Sequence, residues 1–218
     1  MEKMKYEFIA IEGIIGTGKT SLVEMLSKAL EGTPVLEQFD ENPFLPLFYN
    51  DPKRYAFTLE TSFLTERFHQ LKENLSSGQL FLPCISDYIF QKSTLFARVN
   101  LNDAEFELFN KMAGFMTDNL PVPEIILYLY KKPEKAKEQI LSRGRPYEKN
   151  IELSYLQAIH DSYMEFFRQN SHIKTVIVDT SNLDFVKNKA HFEYLKNLLL
   201  ADYKRGITGI IPEINAGN

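Results

Sequence analysis

Short apolar runs alternate along the chain with longer stretches in which apolar residues recur at helical spacing. Phe8–Ile11, Val35–Leu36, Leu80–Ile85, Ile125–Tyr130 and Thr175–Val178 have the length and β-branched or aromatic content of strands. Ser21–Leu30, Arg54–Leu75, Asp103–Asn119, Glu134–Ser142, Ser154–Arg168 and Phe185–Tyr203 are amphipathic with a helical period. This alternation predicts an α/β fold: a parallel sheet of about five strands with helices on both faces, since parallel strands need crossovers and the crossovers cover both sides of the sheet. No internal repeat, low-complexity tract or Pro/Gly-rich linker interrupts it, so residues 1–204 are expected to form a single domain. Residues 205–218 carry Gly206, Gly209, Pro212 and Gly217 with little periodicity and are expected to be a loosely held tail.

One helix departs from simple amphipathicity. On Arg54–Leu75, Phe57, Phe63, Leu64, Phe68, Leu71 and Leu75 share an arc that also contains Glu60 and Arg67. A buried unpaired charge costs several kcal/mol, so each needs a partner or a polar pocket. Seven residues of helix rise about 10 Å, too far for easy pairing between the two. A ligand pocket opening onto this face is the preferred explanation, with a structural ion network as the alternative.

Composition narrows the function. The chain has 218 residues, 44% hydrophobic and 25% charged, enough for a full core. A net charge of −4 without a long basic block argues against a nucleic-acid polymer as partner and favours a small anionic ligand held by local positive groups. Cys84 is the only cysteine, so no intrachain disulfide can form. Neither a hydrophobic signal core near Met1–Lys5 nor a run of membrane-spanning length is present, and a cytoplasmic, non-membrane setting is the default expectation.

The sharpest chemical signal is Gly13-Ile14-Ile15-Gly16-Thr17-Gly18-Lys19-Thr20, which fits G-x-x-x-x-G-K-[ST] between a predicted strand and the helix that Ser21 enters. Backbone N–H groups in such a loop, with the helix dipole beneath, cradle the phosphates of a nucleoside triphosphate. Lys19 is expected on the outer phosphates and the Thr20 hydroxyl on Mg²⁺.

Residues for a second substrate should converge at the carboxyl ends of the strands. Glu37 directly follows the second short strand and is either a solvated loop acid or the group that orients and deprotonates an attacking hydroxyl. Asp87 closes the third strand, where it suits either a metal-facing carboxylate or a helix cap, and Lys92 should face the same cleft. Arg143-Gly144-Arg145-Pro146-Tyr147-Glu148 is a basic turn of the kind that closes over a transferring phosphoryl group, or simply a helix C-cap.

Taken in order, Ile11-Glu12-Gly13-x-Ile15-Gly16-x-Gly18-Lys19-Thr20, Glu37, Asn42-Pro43-Phe44-Leu45, Phe48-Tyr49-x-Asp51-Pro52-x-Arg54-Tyr55-Ala56-Phe57 and Arg143-Gly144-Arg145-x-x-Glu148 resemble the deoxyribonucleoside kinase family. Within it they are most similar to the bacterial deoxyadenosine and deoxyguanosine kinase branch, over about Tyr6 to Leu200. The resemblance implies a three-layer P-loop kinase fold with an arginine lid. It also implies transfer of the γ-phosphoryl of ATP to the 5′-hydroxyl of a deoxynucleoside, with Mg²⁺, in nucleotide salvage, by a protein that is commonly a homodimer. It makes Glu37 the general base, Tyr49 and Glu148 the pair on the sugar 3′-hydroxyl, Arg143 and Arg145 the lid arginines, Phe96 the ring stacked on the base, and Arg67 a lining residue of the base pocket. The Asp179–Asp184 stretch resembles the loop near the donor adenine.

Three positions depart from the family pattern. Glu60 stands where glutamine usually meets the base, Ser86-Asp87-Tyr88 replaces Glu-Arg-Ser, and Lys92 replaces a base-pocket aspartate. Lys92 is expected to restore the lost positive charge and Asp87 to take the metal-facing role. An ionised carboxylate only accepts hydrogen bonds, which suits guanine, whereas the bacterial resemblance leans toward adenine; the expectation is a purine. Two other readings compete: a nucleoside-monophosphate kinase resembling thymidylate kinase, and a non-catalytic interaction module with the same fold. The coexistence of Lys19, Thr20, Glu37, Arg143 and Arg145 argues against the module, because mere binding needs no base and phosphate clamp together.

Overall fold

Six strands run parallel in the order β2-β3-β1-β4-β5-β6. They are β1 (Phe8–Glu12), β2 (Thr33–Val35), β3 (Cys84–Ser86), β4 (Ile125–Tyr130), β5 (Lys174–Asp179) and β6 (Gly206–Ile210). The helices are α1 (Lys19–Ala29), α2 (Phe44–Asn50), α3 (Pro52–Ser76), α4 (Lys92–Asn100), α5 (Asp103–Thr117), α6 (Pro133–Arg143), α7 (Leu153–Gln169) and α8 (Lys189–Leu198). This is a computed structural model, and it describes residues 5–76, 83–117 and 120–212.

Every residue of β1 is buried because helices cover both faces of the sheet. The two-residue period of a strand sends Ile9 and Ile11 to one side, where they join Leu22 and Leu26 of α1 and Phe192 and Leu195 of α8. Ala10 points to the other side with Ile126 and Tyr128 of β4, against Leu95 of α4, Ala136 and Ile140 of α6, and Ile159, Tyr163 and Phe167 of α7. A third apolar cluster lies beyond this layer. Phe48 of α2, Phe63, Leu64 and Leu71 of α3, Ala97 of α4, and Phe109 and Ala113 of α5 pack there on Phe8, Val35 and Cys84.

The predicted α/β arrangement and both helical layers are present, with two corrections. Among the described residues the sheet has six strands, not about five, and the sixth lies in the segment expected to be a loose tail. Gly206 to Ile210 pair in register with Lys174 to Val178. The edge of β5 offers unpaired N–H and C=O groups, and the β-branched Ile207, Thr208 and Ile210 suit pairing with it, although Gly206 and Gly209 mask the pattern. Residues 213–218 of that segment lie outside the described residues, as do 77–82, which cover part of the strand expected over Leu80–Ile85.

The helix expected over Phe185–Tyr203 is shorter. It starts at Lys189, where the Asn188 side chain accepts from the backbone N–H groups of Ala190 and His191, and it ends at Leu198. Helix α2 was not anticipated. The Asn42 side chain accepts from Phe44 N at 3.0 Å at its start, and Pro46 falls in the first turn, where its missing N–H leaves no helical bond unmade.

Candidate active site

The loop between β1 and α1 is built on its glycines. Gly16 has φ +85°, and a Cβ there would lie 2.5 Å from the Ala136 carbonyl oxygen; Gly18 has φ +89°, with the Phe185 ring 2.8 Å from where a Cβ would stand. Neither position admits a side chain without strain. Lys19 folds back on the loop, its ammonium donating to the carbonyls of Gly13 at 2.9 Å and Ile14 at 3.0 Å. Burial, with repulsion from Lys92, lowers its pKa to about 8. Behind the loop the Glu12 carboxylate accepts from the N–H of Gly13 at 3.3 Å, the N–H of Ile89 at 2.9 Å and the Tyr163 hydroxyl at 2.7 Å. Burial raises its pKa against the pull of Lys92 and Lys19.

Asp87 follows β3 and bridges the two halves of the site. Its Oδ2 accepts from the Thr20 hydroxyl at 2.6 Å and its Oδ1 from the backbone N–H of Glu37 at 2.8 Å. Burial, reinforced by the nearby Glu37 charge, raises its pKa.

Glu37 is gripped from both sides. Arg67 Nε donates to Oε1 and Lys92 Nζ to Oε2, each at 2.7 Å, and the glutamate side chain is only 12% exposed. Burial opposes its charge, but Arg67 and Lys92 outweigh it and bring the pKa to about 2. Arg67 also donates from Nη1 to the Ser93 hydroxyl at 2.7 Å and sits over the Phe63 ring.

The possible ion network on α3 therefore takes a different form: both cations bind Glu37, not Glu60. Glu60 is 2% exposed, and its Oε1 accepts from the Asn100 side-chain amide at 2.6 Å. Its Oε2 is buried with no hydrogen-bond partner among the described residues. Burial pushes the carboxyl up to about 7, against the pull of Asn100 and Arg67.

Helix α6 ends at Gly144, whose φ of +76° turns the chain into the basic segment. Arg143 Nη2 lies 2.5 Å from Oε2 of the buried Glu148, Arg145 Nη1 lies 3.8 Å from its Oε1, and the Arg145 guanidinium stands 4.2 Å over the Phe39 ring. Tyr49 stacks on Tyr147 with ring centres 5.6 Å apart.

One cavity of about 600 Å³ gathers these groups, a size suited to a small organic ligand. Ile15 to Ser21 line it, as do Glu37, Tyr49, Glu60, Arg67, Asp87, Lys92, Phe96, Arg143, Arg145 and Glu148. Of the expected site residues only Gly13 and Ile14 stay off its wall; the Ile14 side chain is packed in the core. Leu183 and Asp184, from the stretch expected near the adenine, also line it. Asn100 and Tyr155 were not anticipated. Asn100 lies one helical turn after Phe96 on α4, and that spacing is the signal that could have located it.

Thr20 and Asp87 supply hard oxygen donors at the mouth of the phosphate loop, a set that fits Mg²⁺, which keeps one or two protein oxygens beside phosphate and water.

The chain is 38% identical over 194 residues to deoxyguanosine kinase of Bacillus subtilis (strain 168), covering 85% of this chain and 92% of that one. It is 32% identical over 174 residues to deoxyadenosine kinase of Dictyostelium discoideum, covering 78% and 70% respectively. The solved structure of deoxyadenosine kinase from M. mycoides with bound dATP superposes with a TM-score of 0.77 at 28% identity, over 88% of this chain and 99% of that one. The profile described as deoxynucleoside kinase matches residues 9–201, and the chain belongs to the deoxynucleoside kinase family.

Proposed function

We propose that this protein transfers the γ-phosphoryl group of ATP to the 5′-hydroxyl of a purine deoxynucleoside. The observation that carries this reading is the position of Glu37: a carboxylate held by two cations on the wall of the same cavity that the phosphate loop lines, where a hydroxyl must meet the γ-phosphorus. The names of the deoxyguanosine and deoxyadenosine kinase relatives support a purine.

In this mechanism the nucleoside lies between α3 and α4, with the base beside Phe96 and the 3′-hydroxyl between Tyr49 and Glu148. ATP phosphates replace the Gly13 and Ile14 carbonyls on Lys19 and draw Arg143 and Arg145 away from Glu148. A carboxylate with a pKa near 2 is a weak base, so Glu37 orients the hydroxyl and takes its proton late, once bonding to phosphorus has made it acidic. Arg67 and Lys92 hold Glu37 ionised and aimed throughout. Thr20 and Asp87 would hold Mg²⁺, which would supply neutralisation of charge on the phosphates. Leu108 and Phe115, seven residues apart on α5 and 52% and 88% exposed, support a helix-paired homodimer in the same reading.

The test is an ATP-dependent phosphorylation assay on the four deoxynucleosides and their monophosphates, with Glu37→Gln alongside. Purine deoxynucleosides are expected to be the preferred acceptors, and Glu37→Gln is expected to bind nucleoside while losing turnover. Dominant activity on pyrimidines refutes the substrate, and preference for monophosphates refutes the acceptor class.

A further inference from the structure

Among the described residues that line the cavity, one buried side-chain polar atom has no hydrogen-bond partner. Glu60 and Asn100 face each other across α3 and α4, and their single hydrogen bond leaves the Glu60 Oε2 unsatisfied. A buried oxygen without a partner costs stability, and its place on a ligand-sized cavity marks it as a group that the ligand completes. Arg67 and Lys92, the two cations that would otherwise satisfy it, are both committed to Glu37.

Its chemistry matches a purine edge. Guanine presents two neighbouring N–H donors there, and an ionised carboxylate accepts both. Adenine presents one N–H donor beside a bare ring nitrogen, and a protonated carboxyl answers it with one O–H donor and one acceptor oxygen. We propose that Glu60, with Asn100 holding its Oε1, sets base specificity, taking guanine when ionised and adenine when protonated. This assignment rests on the nucleoside occupying the cavity as placed above.

The charged and titratable groups around Glu60 come from each neighbouring element: Arg67 on its own helix, Glu37 after β2, Lys92 on α4 and the Tyr155 phenol on α7, with the neutral Asn100 amide also on α4. Burial is the largest influence and brings the carboxyl to about 7, so both forms are present near neutral pH. Glu37, at about 2, stays ionised over the same range. Lys19, at about 8, affects both substrates alike through the shared donor site. The ratio of the two specificities therefore isolates Glu60.

The experiment measures kcat/KM for deoxyguanosine and deoxyadenosine from about pH 6 to about pH 8, since this parameter reports groups of the free enzyme. The guanine-to-adenine ratio is expected to climb with pH, by about tenfold per unit where each form takes only one base. Glu60→Gln is expected to flatten the ratio and favour adenine. Asn100→Ala removes a hydrogen bond that favours the ionised form, and the rise is expected to move to higher pH. The wild-type series needs no variant to fold: phosphorylation of both purines at a ratio constant within about twofold overturns the role of Glu60 and leaves the kinase reading intact. No phosphorylation of either purine overturns the kinase reading, and this inference with it.

Discussion

Replacing Lys92 by methionine tests whether this lysine supports the reacting carboxylate. Lys92 is buried and donates to Glu37 Oε2 at 2.7 Å, while Arg67 holds the other oxygen. The fall of the Glu37 pKa from 4.5 to about 2 corresponds to about 3 kcal/mol of preference for the ionised form, shared between the two cations after burial has opposed them. Methionine keeps most of the volume and removes one charge-assisted hydrogen bond, worth about 1.5–3 kcal/mol. If the aim of Glu37 in the transition state depends on that bond, kcat/KM falls about 10- to 150-fold. Removing a cation also raises the Glu37 pKa, so the acid limb of the pH–rate profile moves to higher pH. Steady-state kinetics on both purine deoxynucleosides, with thermal unfolding as a check on folding, provides the assay. A folded variant with unchanged kinetics would refute any part for Lys92 in holding Glu37.

Four further outcomes are expected. Gly16→Ala introduces a Cβ against the Ala136 carbonyl at a positive φ and should cost about 1–3 kcal/mol, lowering the Tm by about 2–10 °C in calorimetry. Gly114→Ala, on α5 with open space at its Cβ, should instead raise the Tm by about 1–4 °C; equal effects would show that the loop geometry carries no strain. Arg143→Ala should lower kcat by about 100-fold or more in rapid-quench assays through loss of a donor to the transferring phosphoryl group, and a defect confined to KM would remove it from that role. Glu60→Gln should change stability in a pH-dependent way. The folded carboxyl titrates near 7 and the unfolded one near 4.5, so the native state holds the extra proton and wild-type stability falls as pH rises between those values. The glutamine variant should therefore gain on wild type with rising pH, by at most about 3 kcal/mol at about pH 8 relative to about pH 4, and denaturant unfolding at the two pH values checks the sign.

The parts legible in the sequence were those determined by local spacing. The phosphate loop is contiguous, and helical period alone placed Glu60 and Arg67 on an arc of carbon where charge needs a reason. The choice of partner was not local. Lys92 and Arg67 converge on Glu37 because α3, α4 and the chain after β2 approach one another, and no periodicity encodes that approach. Asn100 escaped notice because an asparagine near a helix end reads equally well as a terminus. Glycine hid β6 for a related reason: two of its five residues have no side chain, and its pairing comes from the free edge of β5.

The Asp87 bridge bears on how such a site can diversify. One short carboxylate joins the Thr20 hydroxyl to the Glu37 backbone N–H, so in the proposed reaction the span between donor and acceptor is set by groups that do not touch a base. Glu60 and Asn100 stand on α3 and α4, and the hydrogen bond between them is separate from that bridge. In the proposed reaction, substitutions there are expected to change which nucleoside is accepted without resetting the span across which the phosphoryl group moves. Drift at Asp87, by contrast, is expected in the same reading to disturb turnover for every substrate at once.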